Sequence, residues 1–419
     1  MTLTKKVVLA MVAGITVGCV INLFGLQNGL IGVWFVDGIF DFGGAIFVKS
    51  LKLMVIPIVF FSLVCGVAAL GASAKMGRLA GETLLLYVGT TFIALTLAVS
   101  IALIISPGVG ADLGSYPAFS GKESLPIKDV LLGMFPQNPV EAMADGKVLQ
   151  VIVFAILMGL GISLSGEAGQ RILRPIEDIN TVVMKMIMLI VELAPFGVFF
   201  LLAETFSKVG FAEIGSLAKY FFTLLFVLLV HALVVYPIIL KTFSGLRPIQ
   251  FFKNIRPATL FAFGTASSAA TMPVTLSVVE KRMGVDNRVA SFSIPLGATI
   301  NMDGTSMMQG VATIFIAQAI GLDLTMAQLA MVILTATLAS IGTAAVPSAG
   351  LVMLTAVFTQ VGLPVEAIGV IFGVDRLLDM TRTAVNVTGD AMVTTIVAKR
   401  HGMFDQAVFD DDSDLNEKT

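Results

Sequence analysis

Charge is what this chain has least of. Asp, Glu, Lys and Arg make up 13% of its 419 residues, against roughly a quarter in a soluble domain. Apolar residues make up 57%, and the mean hydropathy is +0.95. So little charge cannot cover a water-facing surface, which excludes an ordinary soluble domain and predicts a polytopic α-helical membrane protein. The two cysteines, Cys19 and Cys65, both sit inside apolar runs, so no disulfide framework is expected. The net charge of -2 leaves no basic surface for a nucleic-acid partner. A cleavage signal is lacking too. Lys5 and Lys6 precede a long apolar run without a small-x-small site, so Met1 to Gly25 reads as an uncleaved first span.

What is present is a series of long apolar runs. Segments able to cross about 30 Å of hydrocarbon fall at 5–27, 43–70, 83–106, 148–166, 178–203 and 216–240. Short cytoplasmic loops are rich in Lys and Arg. Lys5 and Lys6 precede the first span, Lys75 and Arg78 follow the second, and Arg171 and Arg174 follow the fourth. Lys241, Arg247, Lys253 and Arg256 follow the sixth. Both ends of this block are therefore predicted to be cytoplasmic. The proline-containing connection 107–147 is predicted to be external. His231, inside the sixth span, reads as a packing residue.

After residue 245 the pattern changes. The segments 257–280 and 325–360 are interrupted by Gly264 to Pro273 and by Ala339 to Gly350, both small, hydroxyl-bearing and proline-containing. Bare backbone at membrane depth is tolerated only inside protein or beside a cavity. Two half-length helices meeting at such a tip form a re-entrant hairpin. Each predicted hairpin precedes a polar-interrupted helix. One carries Asn301-Met302-Asp303-Gly304-Thr305 within 289–319, the other Asp375 to Asp390 within 364–398. A hairpin-plus-broken-helix unit therefore occurs twice. Lys281, Arg282 and Arg288 put the first hairpin's ends in the cytoplasm, and Lys399 and Arg400 end the last helix there. The second hairpin must dip in from outside. Opposite insertion predicts an inverted repeat, and paired interruptions point to a transporter's binding site.

Asp379, Arg382, Thr383, Asn386 and Asp390 recur at three- and four-residue steps, so they share one helical face. Ionisable groups at this depth are costly and usually line a substrate or ion path. An intramembrane aspartyl protease would also hold two aspartates, but sharing a proton and without an arginine three residues from one of them. No enzyme is expected.

These residues resemble the glutamate transporter family of dicarboxylate/amino acid:cation symporters, which includes the excitatory amino acid carriers and archaeal glutamate transporter homologues. The resemblance covers nearly the whole chain. It is densest from 257 to 400, in the blocks Ser267 to Pro273, Asn301 to Thr305, Gly342 to Pro347 and Asp379 to Asp390. It implies eight transmembrane helices plus two re-entrant helical hairpins, arranged as inverted repeats and working as an elevator. It further implies a homotrimer in the inner membrane, in contact with lipid, with both termini cytoplasmic. Residues 1–82 would be scaffold and trimerisation spans, and 83–106 the third span, part of the transport domain. Residues 107–210 would be the external loop and scaffold spans four and five. Residues 211–400 would complete the transport domain, and 401–419 would form an acidic cytoplasmic tail.

The implied activity is symport of aspartate or glutamate with several sodium ions per cycle. The alternative is a proton-coupled glutamate/aspartate or C4-dicarboxylate symporter. The resemblance carries substrate binding to Ser267, Ser268, Thr305, Val346, Gly350, Asp379, Arg382, Thr383 and Asn386. Arg382 would hold the side-chain carboxylate in its planar fork and Asp379 the ammonium. Hairpin-tip amides and hydroxyls would hold the α-carboxylate. One implied sodium site uses Asp390 with oxygens near Gly297, Asn301 and Asn386. A second uses Asp303 and Asn301 with Tyr87, Thr90 and Thr91. A third uses backbone oxygens near Thr299, Met302, Ser340, Ile341 and Thr343. Asp303 and Asp390 are each expected beside a broken helix with free carbonyls. Three positions depart from the family pattern, Ala266 where archaeal members carry an arginine, Met380 where eukaryotic carriers do, and Ala269 where a serine is common in the tip.

Overall fold

A computed structural model of the chain describes residues 3–71, 77–111, 132–133, 135–209, 213–340 and 349–411. Among the described residues there is no strand, only one isolated antiparallel bridge between Val285 and Phe404. Helices α1 (Leu3–Leu23), α2 (Asp41–Gly71) and α3 (Gly77–Ile105) carry the first three apolar runs. A short helix α4 (Pro139–Ala144) precedes α5 (Val148–Leu164).

The expected span 178–203 is two helices, α6 (Gly166–Glu192) and α7 (Ala194–Val209). Pro195 has no N–H to donate to the carbonyl four residues back, so the ladder stops at Glu192. It restarts with Leu193 as acceptor for Phe196 and Gly197.

The sixth run begins as α8 (Glu213–Val230), passes through a π-turn at His231–Val235, and continues as α9 (Tyr236–Ser244). Tyr236 N–H reaches the carbonyl of His231, five residues back. Pro237, which has no N–H, follows at once. Among the described residues, α3 and the α8–α9 run supply two helices long and apolar enough to cross a membrane by length and composition, Arg78–Ile105 and Gly215–Ser244.

The first interrupted segment is α10 (Pro248–Thr265) and α11 (Ser268–Lys281), which pack on each other across a two-residue turn. Ala266 turns the chain at φ 51, ψ 34, in the left-handed region. Ser267 is extended, and its hydroxyl caps the new helix by accepting from Ala270 N–H. The next helix is broken in two, α12 (Asn287–Ile300) and α13 (Asp303–Ala319), by the non-helical pair Asn301 and Met302. The second interrupted segment supplies α14 (Met326–Ser340) and α15 (Ala349–Val361), which also pack together. Its expected tip, 341–348, lies outside the described residues, with Ile341, Thr343 and Val346 in it.

The last long helix corrects an expectation. Rather than a second broken helix, α16 (Ile368–Arg400) runs 33 residues without interruption. No proline lies within it, and a lone glycine such as Gly389 costs only about 1 kcal/mol in a helix. Burial offsets that cost, because every residue from Arg382 to Ala398 is buried. A short α17 (Gln406–Asp410) follows.

The helices sort into two groups by their contacts. In one, α2 packs on α5, α6 and α7, and α1 packs on α7. In the other, α16 is wrapped by α8, α10, α12 and α13, while α13 also packs on α3.

The tip residue gives a test. An alanine in the left-handed region is strained by roughly 1–2 kcal/mol, and a β-branched residue there is a genuine outlier. Ala266→Gly is expected to hold or raise the thermal unfolding midpoint of purified protein, and Ala266→Val to lower it. Equal midpoints for the two variants would contradict the tip geometry.

Candidate functional site

The charges of α16 meet inside the protein. Arg382 is 1% exposed and lies between two acids of its own helix. Its Nη1 donates to Asp375 Oδ1 at 2.6 Å, and its Nη2 to Asp375 Oδ2 at 3.2 Å and Asp379 Oδ1 at 2.7 Å. Steps of seven and three residues put all three side chains on one face. Asp375 thus grips the end of the planar fork, and Asp379 takes the other proton of Nη2. The Nε–H, also buried, has no partner. One side of the fork is therefore only half filled.

Below this pair, α16 supports the break in the neighbouring helix. Asn386 Oδ1 accepts from Gly304 N–H at 2.7 Å, supplying a partner that the first turn of α13 lacks. Asn386 Nδ2 lies 3.3 Å from the sulfur of Met302. The Thr383 hydroxyl donates to the carbonyl of Asp379 at 2.8 Å.

Two further carboxylates sit deeper. Asp303, wholly buried, accepts from Thr91 Oγ1 at 2.6 Å on Oδ1 and from the Tyr236 hydroxyl at 2.9 Å on Oδ2. His231 Nε2 is 3.3 Å from the same Oδ2. The π-turn causes this convergence, since it places the His231 and Tyr236 rings 4.5 Å apart. Asp390 Oδ1 accepts from Asn301 Nδ2 at 2.9 Å, and Asn301 Oδ1 accepts from Thr90 at 3.2 Å. The break in the helix thus ties both sets together. Tyr87, grouped by resemblance with Asp303, accepts from the Thr90 hydroxyl on its carbonyl at 3.0 Å and turns its own hydroxyl to the carbonyl of Ser293 at 3.0 Å and to Asp390 O at 3.5 Å. Gly297 lets Asp390 and Tyr87 approach, because a Cβ there would lie 2.6 Å from Asp390 Oδ1 and 2.7 Å from the Tyr87 hydroxyl.

The remaining expected residues fall around this centre. Ser267 and Ser268 are buried at the first hairpin's tip. Thr305 faces Gly350, where a Cβ would lie 2.7 Å from Thr305 Cγ2. The Thr299 and Ser340 hydroxyls bond carbonyls of their own turns, at Leu296 and Thr337. Three participants were not anticipated as such. Asp375 is seven residues from Arg382, so the helical period already put it on the charged face. His231 and Tyr236, five apart, would diverge on a regular helix, and Pro237 was the only hint that they converge. His231, expected as a packing residue, is buried and also meets Asp303.

A family model described as the sodium:dicarboxylate symporter family matches residues 3–400. A proton/sodium-glutamate symport protein of Bacillus subtilis (strain 168) is 35% identical, over 87% of this chain and 86% of its own. A proton/glutamate-aspartate symporter of Escherichia coli (strain K12) is 32% identical, over 97% and 94%. The excitatory amino acid transporter 3 of Mus musculus is 34% identical, over 95% and 85%.

The crowding at Gly297 is measurable. Overfilling a packed interior costs about 1–3 kcal/mol, whereas Ala in place of Gly in an open helical position gains about 0.5–1 kcal/mol. Gly297→Ala is expected to lower the thermal midpoint. Gly81→Ala on α3, where nothing lies within 4 Å of the added methyl, should hold or raise it. Equal shifts for the two variants would contradict the packing.

Proposed function

The chain belongs to the sodium:dicarboxylate symporter family, and we propose that it takes up aspartate or glutamate together with sodium ions. Membership makes it a membrane transporter rather than an enzyme. The observation that carries the substrate reading is Arg382, with a bare Nε–H beside an Nη2 shared between Asp379 at 2.7 Å and Asp375 at 3.2 Å. A carboxylate arriving at Nε and Nη2 makes a bidentate pair. It displaces Asp379 and leaves Asp375 at the far end of the fork. The freed Asp379 then receives the substrate's ammonium, so one exchange serves both ends of an amino acid. The α-carboxylate goes to the first hairpin's tip, where the N-terminus of α11 favours anions. Thr305, Gly350, Thr383 and Asn386 complete the lining, with Val346 from the second tip. The relatives' names, which specify glutamate or glutamate and aspartate, support the same substrate class.

Sodium follows from Asp303 and Asp390. Both are buried, with mainly neutral partners, and an unneutralised carboxylate at this depth costs several kcal/mol. The donors around them are oxygens of carboxylate, hydroxyl, amide and backbone carbonyl, which suit a hard cation. Asn301, Thr90, Thr91, Tyr87, Gly297 and Asn386 would hold ions with them, and the oxygens near Thr299, Met302 and Ser340, with Ile341 and Thr343, would hold another. A tenfold sodium gradient supplies about 1.4 kcal/mol per ion, so two or three ions concentrate the substrate strongly. A second reading, proton coupling, is favoured by His231 beside Asp303. Proton and sodium both appear in the relatives' names.

In this reading α3 and α8–α16 form the moving transport domain. The scaffold is α1, α2 and α5–α7, and the two-group packing supports that division. The protein works as a homotrimer in the inner membrane, termini cytoplasmic. The exposed apolar side chains of α1 and α2, such as Leu9, Leu23, Phe42 and Leu53, suit lipid or a neighbouring protomer.

Two outcomes check this. Arg382→Lys keeps a charge between the acids but loses the fork, and charge-assisted hydrogen bonds are worth about 1.5–3 kcal/mol. Aspartate affinity in calorimetric titration should fall at least tenfold. Unchanged affinity would remove Arg382 from the site.

The second outcome concerns the ions. Aspartate affinity should rise with sodium concentration with a log–log slope above one. Asp303→Asn and Asp390→Asn should each flatten that slope. Equal binding in sodium-free buffer, or proteoliposome uptake driven by a pH gradient alone, would replace sodium with the proton.

A further inference from the structure

Tyr236, which opens α9, stands where the two deep carboxylates meet. Its side chain is buried, and its hydroxyl donates to Asp303 Oδ2 at 2.9 Å. The carbonyl of Val385, on α16, is a second and longer contact at 3.4 Å. A tyrosine hydroxyl has one proton to give, and the shorter bond, to the carboxylate, is the stronger. The hydroxyl also lies against Gly389. A Cβ added at Gly389 would overlap it, and would lie 2.7 Å from Asn301 Nδ2. Asn301 Nδ2 is the donor that meets Asp390. One bare spot on α16 thus takes both the phenol that holds Asp303 and the amide that holds Asp390.

This arrangement fixes how Asp303 presents itself. A carboxylate offers two oxygens. Oδ2 is met by Tyr236 and, at 3.3 Å, by His231 Nε2. Oδ1 is turned to α3, where it accepts from Thr91. A working site needs its groups held to within about 0.5 Å, and an aspartate pinned at one oxygen turns the other the same way each time. We propose that Tyr236 is a positioning residue for the sodium site at Asp303. Its proton holds Oδ2, so that Oδ1 stays on the side of Thr91, and Gly389 is the gap that admits it. A phenylalanine keeps the ring and loses the hold. An alanine at 389 pushes the hydroxyl and the Asn301 amide aside together, and so disturbs both carboxylates. The residues that Tyr236 meets here, Asp303, Val385, Gly389 and His231, are none of those assigned to substrate. Its effect on substrate therefore passes through sodium. The inference rests on the sodium reading given above.

The test titrates aspartate into wild type, Tyr236→Phe, Asp303→Asn and the double variant at a series of sodium concentrations, with choline keeping the ionic strength constant. Tyr236→Phe is expected to need about three- to tenfold more sodium to reach the same aspartate affinity, the worth of one hydrogen bond. At saturating sodium its affinity should come within twofold of wild type, which general damage to the fold would not allow. The rise of the thermal midpoint with sodium, measured without substrate, should likewise need more sodium in Tyr236→Phe. In the Asp303→Asn background the same change should have little further effect, since the two groups act as a pair. A sodium requirement unchanged or lowered in Tyr236→Phe would overturn the role. So would an affinity loss that sodium does not repair, or additive effects in the double variant. Thermal unfolding also checks the gap. Gly389→Ala should lower the midpoint, and adding Tyr236→Phe should recover part of that loss, because the overlapping oxygen is gone. Losses that simply add would overturn the contact. If wild type needs sodium and Tyr236→Phe behaves as wild type, only the Tyr236 role fails. If wild type binds aspartate equally well without sodium, the sodium reading fails and takes this one with it.

Discussion

A carboxylate inside a membrane protein has to be matched by positive charge or by hydrogen-bond donors, and most of this structure is arranged around that requirement. Asp375, Asp379 and Asp390 lie on one buried helix, and Asp303 faces it. The only permanent cation among these buried groups is Arg382. It is spent on two acids at once, while Asp303 and Asp390 are left with hydroxyls, an amide and an imidazole. Uncharged donors lower the cost of a buried ion, but they do not cancel its charge. By formal charge, acids outnumber the one guanidinium at the place where the protein would bind its cargo.

Holding such groups together takes one broken helix and one intact one. The break at Asn301 and Met302 exposes backbone and places Asn301 between Thr90 and Asp390. The intact helix supplies the side chains that repair it, with Asn386 accepting the loose amide of Gly304. A second break in α16 would have released carbonyls beside four of the five buried charged side chains among the described residues, Asp375, Asp379, Arg382 and Asp390. The π-turn before Pro237 is the third device. It leaves α8 and α9 continuous while aiming two polar rings at one carboxylate.

Much of this could be read from the sequence. The polar interruption at 301–305, the hairpin tip at 266–267 and the charged face of the last helix each break the rule that membrane spans are apolar. What could not be read depended on backbone irregularity or on partners distant in the chain. The ionisable run in α16 looked like a disruption, but ion pairs seven and three residues apart satisfy it within the helix. Leu193 was hidden inside an apolar run, where only Pro195 marked a stop. His231 and Tyr236 face Asp303 through a turn that regular helical spacing does not describe. The Tyr87 hydroxyl reaches the seam between α12 and α16, residues too distant in the chain for spacing to pair them.

The surplus charge also explains why transport should be coupled at all. By formal charge, the four acids Asp375, Asp379, Asp303 and Asp390 face the one guanidinium of Arg382, a difference of three. An acidic amino acid, with two carboxylates and one ammonium, adds one more. No rearrangement of neutral donors absorbs that addition in a medium of low dielectric, where charges interact far more strongly than in water. In the proposed reading, a substrate carboxylate on Arg382 calls for cations at Asp303 and Asp390 as well. Each ion in turn is held better when the anionic substrate is present, as linkage requires. The coupling needs no separate sensor. In that reading it follows from putting an anion into a site already rich in carboxylates, beside a helix break whose backbone is exposed.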